Sequence, residues 1–386
     1  MKTKSYKTRT QFIEHKSVSL PNDWIIGLDI GYSAVKGMAP NKVFCFPSYA
    51  MRVSDDKVIL KEPSPTDILY RDEESTWFVG NLAFNQVTSA EVVDSESEMF
   101  GRNRYDSDLF KVISRVGIAA GLMKNGIGEC GKRKVSIQAG LPPKYKADGK
   151  YVKEALSGPC EFDLKIGKSG WQHFSYNIAP EDIYVMPQPL GSLICSTMTR
   201  EGNQTQDAAK FMSTSLIILD PGFGTFDDYV VNMGVVNGSN TFSNLGMKEV
   251  FKRTVEKINE QYGEDIGIHE LQKYLDEGTI TVVNRREMRS QIVSFAGIME
   301  EASKEVCNDA IRKMMSTHDY LKDVKYIIAT GGTYDAWKNE IDAVLSRMQG
   351  ITVISANRNV PELSNVYSNV RGYFYFLTNR IKSKRR

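Results

Sequence analysis

Residues 24–36 read WIIGLDIGYSAVK, and residues 215–227 read SLIILDPGFGTFD. Each stretch is an apolar run that ends in an aspartate, followed by a glycine turn and a second run, which predicts a strand, a tight turn and a returning strand. Because the same order occurs once in each half of the chain, we interpret it as an internal duplication of structure rather than of residue identity.

The two turns have a composition that suits polyphosphate binding. Successive backbone N–H groups at a glycine turn form a concave nest for phosphate oxygens, and Gly31 lets the backbone come close to a ligand. Lys36, on the returning strand, can reach a β- or γ-phosphate as a point charge. Asp29 and Asp220, each at the end of a strand, can hold a water of hydrated Mg²⁺. One such turn also fits an ordinary β-hairpin, but the pair predicts two hairpins that grip one polyphosphate from opposite sides.

A third motif, IIATGGT at residues 327–333, follows another apolar run. Small residues after a strand let a flat base or sugar lie against the backbone. A strand followed by TGG is common in α/β proteins, and its place after the two hairpins makes it more specific here. Strands that alternate with helical segments favour the α/β class. The longest helical segments are predicted over Leu109–Lys124, Lys248–Tyr262 and Arg286–Ser316, and further strands over Lys134–Ala139 and Lys325–Ala329.

In this order the three motifs resemble the first phosphate, second phosphate and adenosine motifs of the superfamily that contains actin, the heat-shock chaperones and the sugar kinases. The resemblance covers Trp24 to Phe376. Two connecting segments, IYVMPQPLG at residues 183–191 and NVYSNVRGY at residues 365–373, resemble the two interdomain helices of that superfamily. The fold that the resemblance implies is α/β: an actin-like, duplicated ribonuclease H-like fold of two domains, with a nucleotide cleft between the domains.

Shorter pieces narrow the resemblance to the ParM/StbA-type plasmid-segregation actins. WFVGNLA at residues 77–83, AGLP at residues 139–142 and MPQ at residues 186–188 are similar to short segments of that branch. Pro221 and Phe223 depart from it, because relatives of this type more often have leucine or serine and glycine in the second phosphate loop. Phe223 could narrow the approach to the γ-phosphate or pack against the base of the cleft, which puts the rate of hydrolysis in doubt more than the binding of nucleotide.

The resemblance implies roles for individual residues. Asp29 and Asp220 would bind Mg²⁺ through water, and Gln188 would position the attacking water, with Asp220 as the second catalytic residue. Gln188 is also explained as the start of a helix between two prolines. The residues implied to bind ATP, with GTP as the alternative nucleotide, are Asp29, Gly31, Tyr32, Ser33 and Lys36 in the first loop, Gly222, Gly224, Thr225 and Asp227 in the second, Gly246, Lys248 and Glu249 after it, and Gly331, Gly332 and Thr333 in the third motif. Of these, Lys248 and Glu249 are placed at the ribose, although an exposed helix start explains them nearly as well.

The charge pattern and the motifs together predict the domain organisation. The predicted parts are, in chain order, a basic extension (residues 1–23), domain I (residues 24–206, with a small inserted subdomain at about 48–108), domain II (residues 207–376, with a last helix at about 361–376 that packs back toward domain I) and a basic tail (residues 377–386). The two basic ends fit solvated, frayed termini, and they also fit contact with an acidic partner or nucleic acid.

Composition argues against several other classes of protein. No apolar run is long enough for a membrane-spanning helix, and the N-terminus lacks the apolar core of a signal peptide, so we expect a cytoplasmic protein with no membrane partner. The five cysteines are scattered without a CxxC pair, which argues against a disulfide framework or a metal cage. The four histidines form no HExxH motif, so zinc hydrolase chemistry has little support.

The function that these observations favour is that of an ATPase that polymerises head to tail on binding ATP and Mg²⁺ and disassembles after hydrolysis. In the ParM-type interpretation, an adaptor protein of ParR type bound to plasmid DNA captures the filament ends, so contact with nucleic acid is indirect. Two alternatives stay open. A small-molecule kinase of the same superfamily would need a carboxylate base near a hydroxyl substrate, and none is evident here. A chaperone-type ATPase would be followed by a β-rich peptide-binding domain.

Overall fold

The computed structural model divides into two compact units. The N-terminal unit comprises Thr8–Gln206 and the segment from Asn359 to the C-terminus, and the C-terminal unit comprises Asp207–Arg358 and the first residues of the chain up to Lys7. The chain therefore passes from one unit to the other three times. The structure describes residues 3–53, 63–87 and 104–385.

The regular elements are numbered in chain order over the described residues. The strands are β1 (Gln11–Glu14), β2 (Asp23–Ile30), β3 (Ala34–Ala39), β4 (Lys42–Pro47), β5 (Ala50–Arg52), β6 (Ile68–Arg71), β7 (Thr76–Val79), β8 (Lys134–Leu141), β9 (Gly158–Ile166), β10 (Gln172–Ile178), β11 (Ile183–Pro187), β12 (Ser215–Pro221), β13 (Thr225–Asn232), β14 (Val235–Ser243), β15 (Thr279–Asn284), β16 (Arg289–Ser294), β17 (Tyr326–Ala329) and β18 (Thr352–Ser355). The α-helices are α1 (Asn81–Gln86), α2 (Asp108–Leu122), α3 (Gly149–Leu156), α4 (Gln188–Ser196), α5 (Asp207–Met212), α6 (Met247–Tyr262), α7 (Ile268–Lys273), α8 (Ala296–Thr317), α9 (Gly332–Leu345) and α10 (Ser368–Lys384).

The main sheets of the two units repeat one pattern. The sheet of the N-terminal unit has the strand order β1-β4-β3-β2-β8-β11, and that of the C-terminal unit has the order β14-β13-β12-β17-β18. In each unit the hairpin strands are antiparallel, and the strands that follow them in the sheet are parallel. The strands β4-β3-β2-β8-β11 of the N-terminal unit therefore correspond in order and direction to β14-β13-β12-β17-β18 of the C-terminal unit. Strand β1 is an additional edge strand in the N-terminal unit. The predicted α/β class and internal duplication are confirmed.

Strand β2 is buried on both faces at the centre of the N-terminal unit. Trp24, Ile26 and Leu28 belong to one apolar cluster, together with residues of α2. Ile25 belongs to another, which includes Tyr373 of α10. A strand covered on both faces reads as a continuous apolar run rather than an alternating one, which explains the sequence of this stretch.

Helix α10 comes so close to its neighbours that only glycine fits at the contacts. A Cβ atom on Gly372 would lie 1.7 Å from the carbonyl oxygen of Gly191 in α4. One on Gly27 in β2 would lie 2.2 Å from a backbone oxygen of α10, and one on Gly140 in β8 would lie 1.8 Å from the Tyr373 hydroxyl oxygen. Glycines on two strands and two helices therefore set the depth at which α10 packs.

A second sheet of the N-terminal unit is antiparallel and has the strand order β10-β9-β6-β7-β5. It joins β5, β6 and β7, which come from the region of the predicted inserted subdomain, to β9 and β10, which lie later in the sequence. Residues 54–62 and 88–103 of that predicted subdomain, including its acidic stretch at residues 91–98, lie outside the described residues.

Several predicted elements are confirmed to within two residues at each end: α2, α6, β8 and β17. The helix predicted from Arg286 is wrong at its start, because β16 occupies part of that segment and α8 begins only at Ala296. The side-chain oxygen of Asn284 accepts hydrogen bonds from the N–H groups of Arg286 and Glu287 at 3.1 and 3.2 Å. An asparagine side chain that binds the backbone ahead of it favours a turn over a helix, and here it makes the turn of a hairpin.

The N-terminal end of the chain is folded onto the C-terminal unit. Thr3–Tyr6 forms a short 3-10 helix, in which Thr3 Oγ1 donates to the Leu275 carbonyl at 2.7 Å. Tyr6 is buried in the apolar cluster of that unit. The next residue, Lys7, pairs with Asp276 at 2.5 Å. The segment that the sequence analysis treats as an extension therefore contributes to the core.

The C-terminal end is ordered as well. Helix α10 continues to Lys384, and Arg385 pairs with the buried Asp23 at 2.6 Å. Both ends therefore contact their unit through Lys7 and Arg385, while Lys4, Lys16, Lys382 and Lys384 are exposed to solvent.

The cysteines and the helices give two further findings. All five cysteines are free thiols. Within the described residues, none of the helices combines the length and the apolar character that crossing a membrane requires.

The glycine contacts of α10 give a first prediction. Gly372→Ala should lower the free energy of unfolding by about 1–3 kcal/mol, because the added methyl group overlaps the Gly191 carbonyl and the helix must shift. Urea denaturation followed by circular dichroism measures this. The matched control is Gly149→Ala in α3, where the nearest atom to a Cβ would be 3.7 Å away and no loss is expected. Equal losses in the two variants would contradict the steric explanation.

Candidate functional site

The first aspartate hairpin joins β2 to β3 in the N-terminal unit. The N–H of Gly31 donates to the Ala34 carbonyl at 3.0 Å and closes the turn. Asp29 is 3% exposed and lies opposite Lys36 in the strand register. Lys36 Nζ lies 3.2 Å from Asp29 Oδ2, so this buried carboxylate has a positive partner.

Residues outside the motif hold the tip of this hairpin. Ser48 Oγ donates to the Gly31 carbonyl at 2.7 Å, and the Ser48 N–H donates to the Ser33 carbonyl at 3.1 Å. The buried Arg104 guanidinium lies over the Tyr32 ring, with Cζ 5.1 Å from the ring centroid. Ser48 and Arg104 were not among the predicted site residues, because no local sequence pattern connects either of them with the turn.

The second aspartate hairpin joins β12 to β13 in the C-terminal unit with the same geometry. The N–H of Gly222 donates to the Thr225 carbonyl at 2.8 Å, and Asp220 lies opposite Asp227 in the register. Thr225 Oγ1 donates to Asp227 Oδ2 at 2.8 Å. The other oxygen of Asp227 is buried and has no hydrogen-bond partner among the described residues. Two acidic side chains therefore face each other where the first hairpin has an acid and a base.

This difference in charge affects protonation. The net pKa of Asp227 is raised to about 6, and burial is the largest cause. Hydrogen bonds from Thr241 and Thr225 lower this pKa, and the negative charges of Asp220 and Asp228 raise it. A buried carboxylate oxygen without a partner, beside a second carboxylate, suits a hard cation that takes oxygen ligands.

The second hairpin fits a hydrated Mg²⁺. In the part of the chain that the structure describes, no group of three His, Cys, Asp or Glu side chains could hold a metal ion. Water or phosphate oxygens would therefore have to complete the ligands around Asp220 and Asp227, as Mg²⁺ usually requires. Asp29, which is paired with Lys36, fits a metal-binding role less well. The metal roles predicted for Asp29 and Asp220 stay predictions.

The third motif lies against the second hairpin within the C-terminal unit. Gly331 has a φ of 87°, a left-handed conformation that favours glycine, and a Cβ atom there would lie 2.8 Å from Asp220 Oδ1. Thr333 Oγ1 donates to the Gly222 carbonyl at 3.1 Å. Helix α9 begins at Gly332, so the positive end of its dipole starts beside the hairpin.

The start of α6 also holds the second hairpin. The N–H of Met247 donates to the Gly222 carbonyl at 3.1 Å, and the N–H of Lys248 donates to the Phe223 carbonyl at 2.8 Å. A side chain at Gly246 would prevent this, because a Cβ atom would lie 2.5 Å from the Phe223 carbonyl oxygen. Gly246 and Lys248 therefore shape the loop through their backbone, a role that was not predicted from the sequence.

The side chain of Glu249 is engaged within its own unit. Its Oε1 lies 3.2 Å from Arg253 Nε, and Arg253 also lies 2.9 Å from Asp309 of α8. This network explains the glutamate at position 249 without a ligand, which agrees with the alternative interpretation of Glu249 as a residue at the start of a helix. Contact of Glu249 with a ribose stays a prediction.

Phe223, one of the two departures from the family pattern, packs inward. Its ring centroid lies 6.1 Å from that of Phe251 in α6, and the side chain packs against the apolar cluster of the C-terminal unit. Of the two interpretations of Phe223, the structure therefore favours inward packing over a narrowed approach to the γ-phosphate.

Gln188 is the first residue of α4, directly after β11 in the N-terminal unit. The Tyr373 hydroxyl of α10 donates to its carbonyl at 3.4 Å. Three residues later, Gly191 lies so close to α10 that a Cβ atom would be 2.6 Å from the Asn369 carbonyl oxygen. The backbone at Gln188 is thereby fixed, while its role in positioning water stays a prediction.

The predicted site residues all fall into two sets, one in each unit. Those in the N-terminal unit are Asp29, Gly31, Tyr32, Ser33 and Lys36 on the first hairpin, and Gln188 at the start of α4. Those in the C-terminal unit are Asp220, Gly222, Gly224, Thr225 and Asp227 on the second hairpin, with Gly246, Lys248, Glu249, Gly331, Gly332 and Thr333 at the two adjoining helix starts.

Comparison with known proteins agrees with this arrangement. Residues 27–191 match the family model described as actin like proteins N terminal domain. The matched segment starts within β2, contains the first hairpin and ends in α4. None of the curated proteins matches the chain.

Solved structures match nearly the whole chain. A 15-stranded ParM filament from Clostridium botulinum has a TM-score of 0.68 at 20% identity, and the match covers 93% of this chain and 99% of that chain. The chain has an actin-like fold. An apo ParM protein is similar to this actin-like chain with a TM-score of 0.60 at 17% identity, over 94% and 99% of the two chains. An archaeal actin homologue in complex with ADP has a TM-score of 0.61 at 14% identity, over 92% and 99%. At these identities the likeness establishes the actin-like fold and leaves the activity to be tested.

The contact between the third motif and Asp220 gives a second prediction. Gly331 and Gly350 both have a φ of 87°, but a Cβ atom on Gly350 would have no neighbour within 4 Å. Gly350→Ala should therefore lose only the backbone preference of glycine, about 1–2 kcal/mol. Gly331→Ala should lose a further 1–3 kcal/mol or so, because its methyl group meets the Asp220 carboxylate. Urea denaturation of the two variants measures the difference, and equal losses would show that the contact with Asp220 is unimportant.

The pKa of Asp227 gives a third prediction, for protein free of nucleotide and divalent cations. The folded pKa of about 6 lies above the ordinary value of 3.8, so the stability that this group contributes is full below pH 3.8 and is lost as the pH rises through 6. Asp227→Asn removes this loss. Its free energy of unfolding relative to wild type should therefore rise by about 1–3 kcal/mol from low to neutral pH. Denaturation curves across that range measure it, and a difference independent of pH would contradict the shifted pKa.

Proposed function

We propose that this actin-like chain binds ATP and Mg²⁺, hydrolyses ATP and polymerises head to tail into filaments. The observation that carries the proposal is the pair of aspartate hairpins, one in each unit of an actin-like fold, whose turns close by the same hydrogen bond. In both, the glycine two residues after the aspartate donates its N–H to the carbonyl three residues further on. That geometry leaves a concave turn of backbone N–H groups, which suits phosphate oxygens.

The two hairpins would contribute different chemistry to phosphate binding. Lys36, beside Asp29, is a cation that can turn to a β- or γ-phosphate. At the second hairpin, the glycine backbone and the Thr225 hydroxyl, which donates to Asp227 in this structure, would contact the phosphates, while Asp220 and Asp227 would hold Mg²⁺ through water. When bound, Mg²⁺ neutralises charge on the phosphates.

The adenosine is assigned to the third motif. Gly331 and Gly332 would contact the adenosine through their backbone, and the Thr333 hydroxyl ties α9 to the carbonyl of Gly222. The positive end of α9 favours negative charge, so the phosphates attached to the adenosine would be attracted here. An archaeal actin homologue of the same fold has been solved with ADP, which supports a nucleotide as the ligand. GTP in place of ATP is the alternative.

Gln188 is proposed to position the attacking water. Phosphoryl transfer depends on in-line placement of the nucleophile and on charge neutralisation more than on covalent participation by the protein. A glutamine amide can hold a water without accepting its proton, and α10 fixes the helix start from which this side chain projects.

Self-association is the partnership that we propose first, because a similar ParM protein has been solved as a filament. A head-to-tail contact between non-equivalent faces does not close, so it builds an open polymer. Loss of the γ-phosphate would remove contacts that favour the polymerising state. We further propose that a DNA-bound adaptor of ParR type captures filament ends in the cytoplasm and thereby segregates plasmid DNA, so that contact with nucleic acid is indirect.

The experiment that tests the proposal follows light scattering and phosphate release together after ATP and Mg²⁺ are added. We expect scattering to rise before phosphate is released. Asp220→Ala should abolish both, because it removes a carboxylate from the second hairpin.

The matched control for that experiment is Asp323→Ala, which changes an exposed aspartate of the same unit and should behave like wild type. Phosphate release without scattering would refute the filament and redirect attention to a soluble ATPase. No phosphate release, with or without scattering, would refute the ATPase.

A further inference from the structure

The chain crosses between the two units at three places, and two of these places lie side by side. They are the steps from Gln206 to Asp207 and from Arg358 to Asn359. Arg358 Nη2 lies 2.7 Å from Asp207 Oδ2, so an ion pair within the C-terminal unit holds the two crossings together. Because adjacent crossings join the units at one place only, they permit rotation about that place, as a hinge does.

The third crossing, from Lys7 to Thr8, is anchored on the C-terminal unit by the residues before it. The buried Thr3 donates from Oγ1 to the Leu275 carbonyl at 2.7 Å. Lys7 Nζ lies 2.5 Å from Asp276 Oδ2. Since Lys7 directly precedes the crossing, the chain is held to this unit up to the point where it leaves.

Tyr6 connects this first anchor with the third motif. Its side chain is buried in the apolar cluster of the C-terminal unit, and the Ser303 side chain of α8 forms a hydrogen bond with the Tyr6 hydroxyl. Ser303 Oγ also accepts a hydrogen bond from Trp337 Nε1 at 3.0 Å. Trp337 belongs to α9, which begins at Gly332. The first anchor is therefore linked through Ser303 to the helix whose start is assigned to adenosine.

The residues after the crossing form a second anchor, on the N-terminal unit. The buried Thr10 donates from its N–H and from Oγ1 to Asn81 Oδ1, at 3.2 and 3.0 Å. Strand β1 follows at once and pairs with β4 along its whole length. Glu14, at the end of β1, accepts a hydrogen bond from the Gly126 N–H at 3.0 Å. Side-chain and backbone hydrogen bonds together hold this segment to its unit.

The second anchor is connected with the first aspartate hairpin. Asn81 directly follows Gly80, whose N–H donates to the Tyr49 carbonyl at 2.8 Å. Tyr49 follows Ser48, which bonds to two carbonyls at the tip of that hairpin. The two anchors are thus linked to elements that are proposed to bind the adenosine and the phosphates of one nucleotide.

The connection between the two anchors is short, because only Thr8 and Arg9 lie between them. Three residue steps span at most about 11 Å, so the Cα atoms of Lys7 and Thr10 cannot separate further while both anchors hold. Greater separation would move Tyr6 out of the apolar cluster or detach β1 from β4. Either change is unfavourable, because the first exposes an aromatic ring to water and the second breaks backbone hydrogen bonds.

We propose that residues 3–14 form a strap that limits the separation of the two units and thereby slows the release of bound nucleotide. The strap has this role only where the proposed function holds, because both units would then contribute to one nucleotide and would have to move apart to release it. A hinge alone would allow wide opening, whereas a hinge combined with a strap of fixed length at other elements allows only a small opening.

The test lengthens the strap and leaves both anchors in place. A Gly-Ser-Gly-Ser insertion between Thr8 and Arg9 raises the reach of this connection from about 11 Å to about 25 Å. In the full-length protein, under conditions that prevent polymerisation, a bound fluorescent ADP analogue is displaced by excess unlabelled ADP. Its release should be several-fold faster in the insertion variant than in the wild type.

The matched control carries the same insertion after Gly170, in the exposed turn between β9 and β10 of the N-terminal unit. This variant should release the analogue at the wild-type rate, because the turn lies within one unit. Equal rates in the wild type and the strap insertion would overturn the proposal, and so would an equal acceleration in the control.

Small-angle X-ray scattering of the nucleotide-free proteins separates failure of the strap from failure of the proposed function. The radius of gyration should be larger with the strap insertion than with the control insertion. Equal radii in the two variants would overturn the strap. Absence of nucleotide binding in the wild type would refute the proposed function, and with it the effect of the strap on nucleotide release, while the two radii would still decide whether the strap limits separation.

Discussion

A buried aspartate at the end of a strand, followed by a turn that a glycine N–H closes, is the constraint on which both units depend. The Gly31 N–H bonds to the Ala34 carbonyl, and the Gly222 N–H bonds to the Thr225 carbonyl. Because the turn sets the register of the returning strand, the seventh residue after each aspartate lies directly opposite it.

That opposite position gives the two hairpins different chemistry. It is Lys36 in the N-terminal unit and Asp227 in the C-terminal unit, so one shared backbone presents a neutralised carboxylate in the first case and two carboxylates in the second. The first suits direct attraction of phosphate and the second suits a hydrated cation. The two hairpins therefore have the same backbone geometry. The residue opposite the aspartate, Lys36 or Asp227, determines which of the two roles we propose for each hairpin.

The sequence predicts those features that depend on neighbouring residues. Both hairpins, the α/β class and the bounds of α2 and α6 follow from local apolar patterns and glycine turns, which short-range sterics enforce. The helix predicted from Arg286 is wrong because a single asparagine side chain, that of Asn284, binds the backbone ahead of it and makes a hairpin turn instead. No pattern of apolar residues carries that information.

Contacts between distant segments could not be predicted in this way. Ser48 and Arg104 hold the first hairpin from outside its motif, and the backbone at the start of α6 holds the second. Glu249 looks like a ligand residue until Arg253 and Asp309 are seen beside it. Each of these depends on which segments meet in space, which one sequence does not specify.

Helix α10 shows how such distant contacts bear on the site. Gly27 and Gly191 let it pack at backbone distance, and Tyr373 on the same helix bonds to the carbonyl of Gln188. A residue proposed to position water is thereby fixed by a helix near the C-terminus. The same helix buries the Arg371 side chain completely, so its packing places a charged group as well as apolar ones in the interior of the unit.

Whether the two aspartate hairpins bind a nucleotide is measured by isothermal titration of the purified protein with ATP in the presence of Mg²⁺, under conditions that prevent polymerisation. We expect saturable binding at one site per chain, weakened when Mg²⁺ is removed by a chelator. Absence of binding, or binding that does not respond to Mg²⁺, would contradict the assignment of the two aspartate hairpins to a nucleotide and its metal ion.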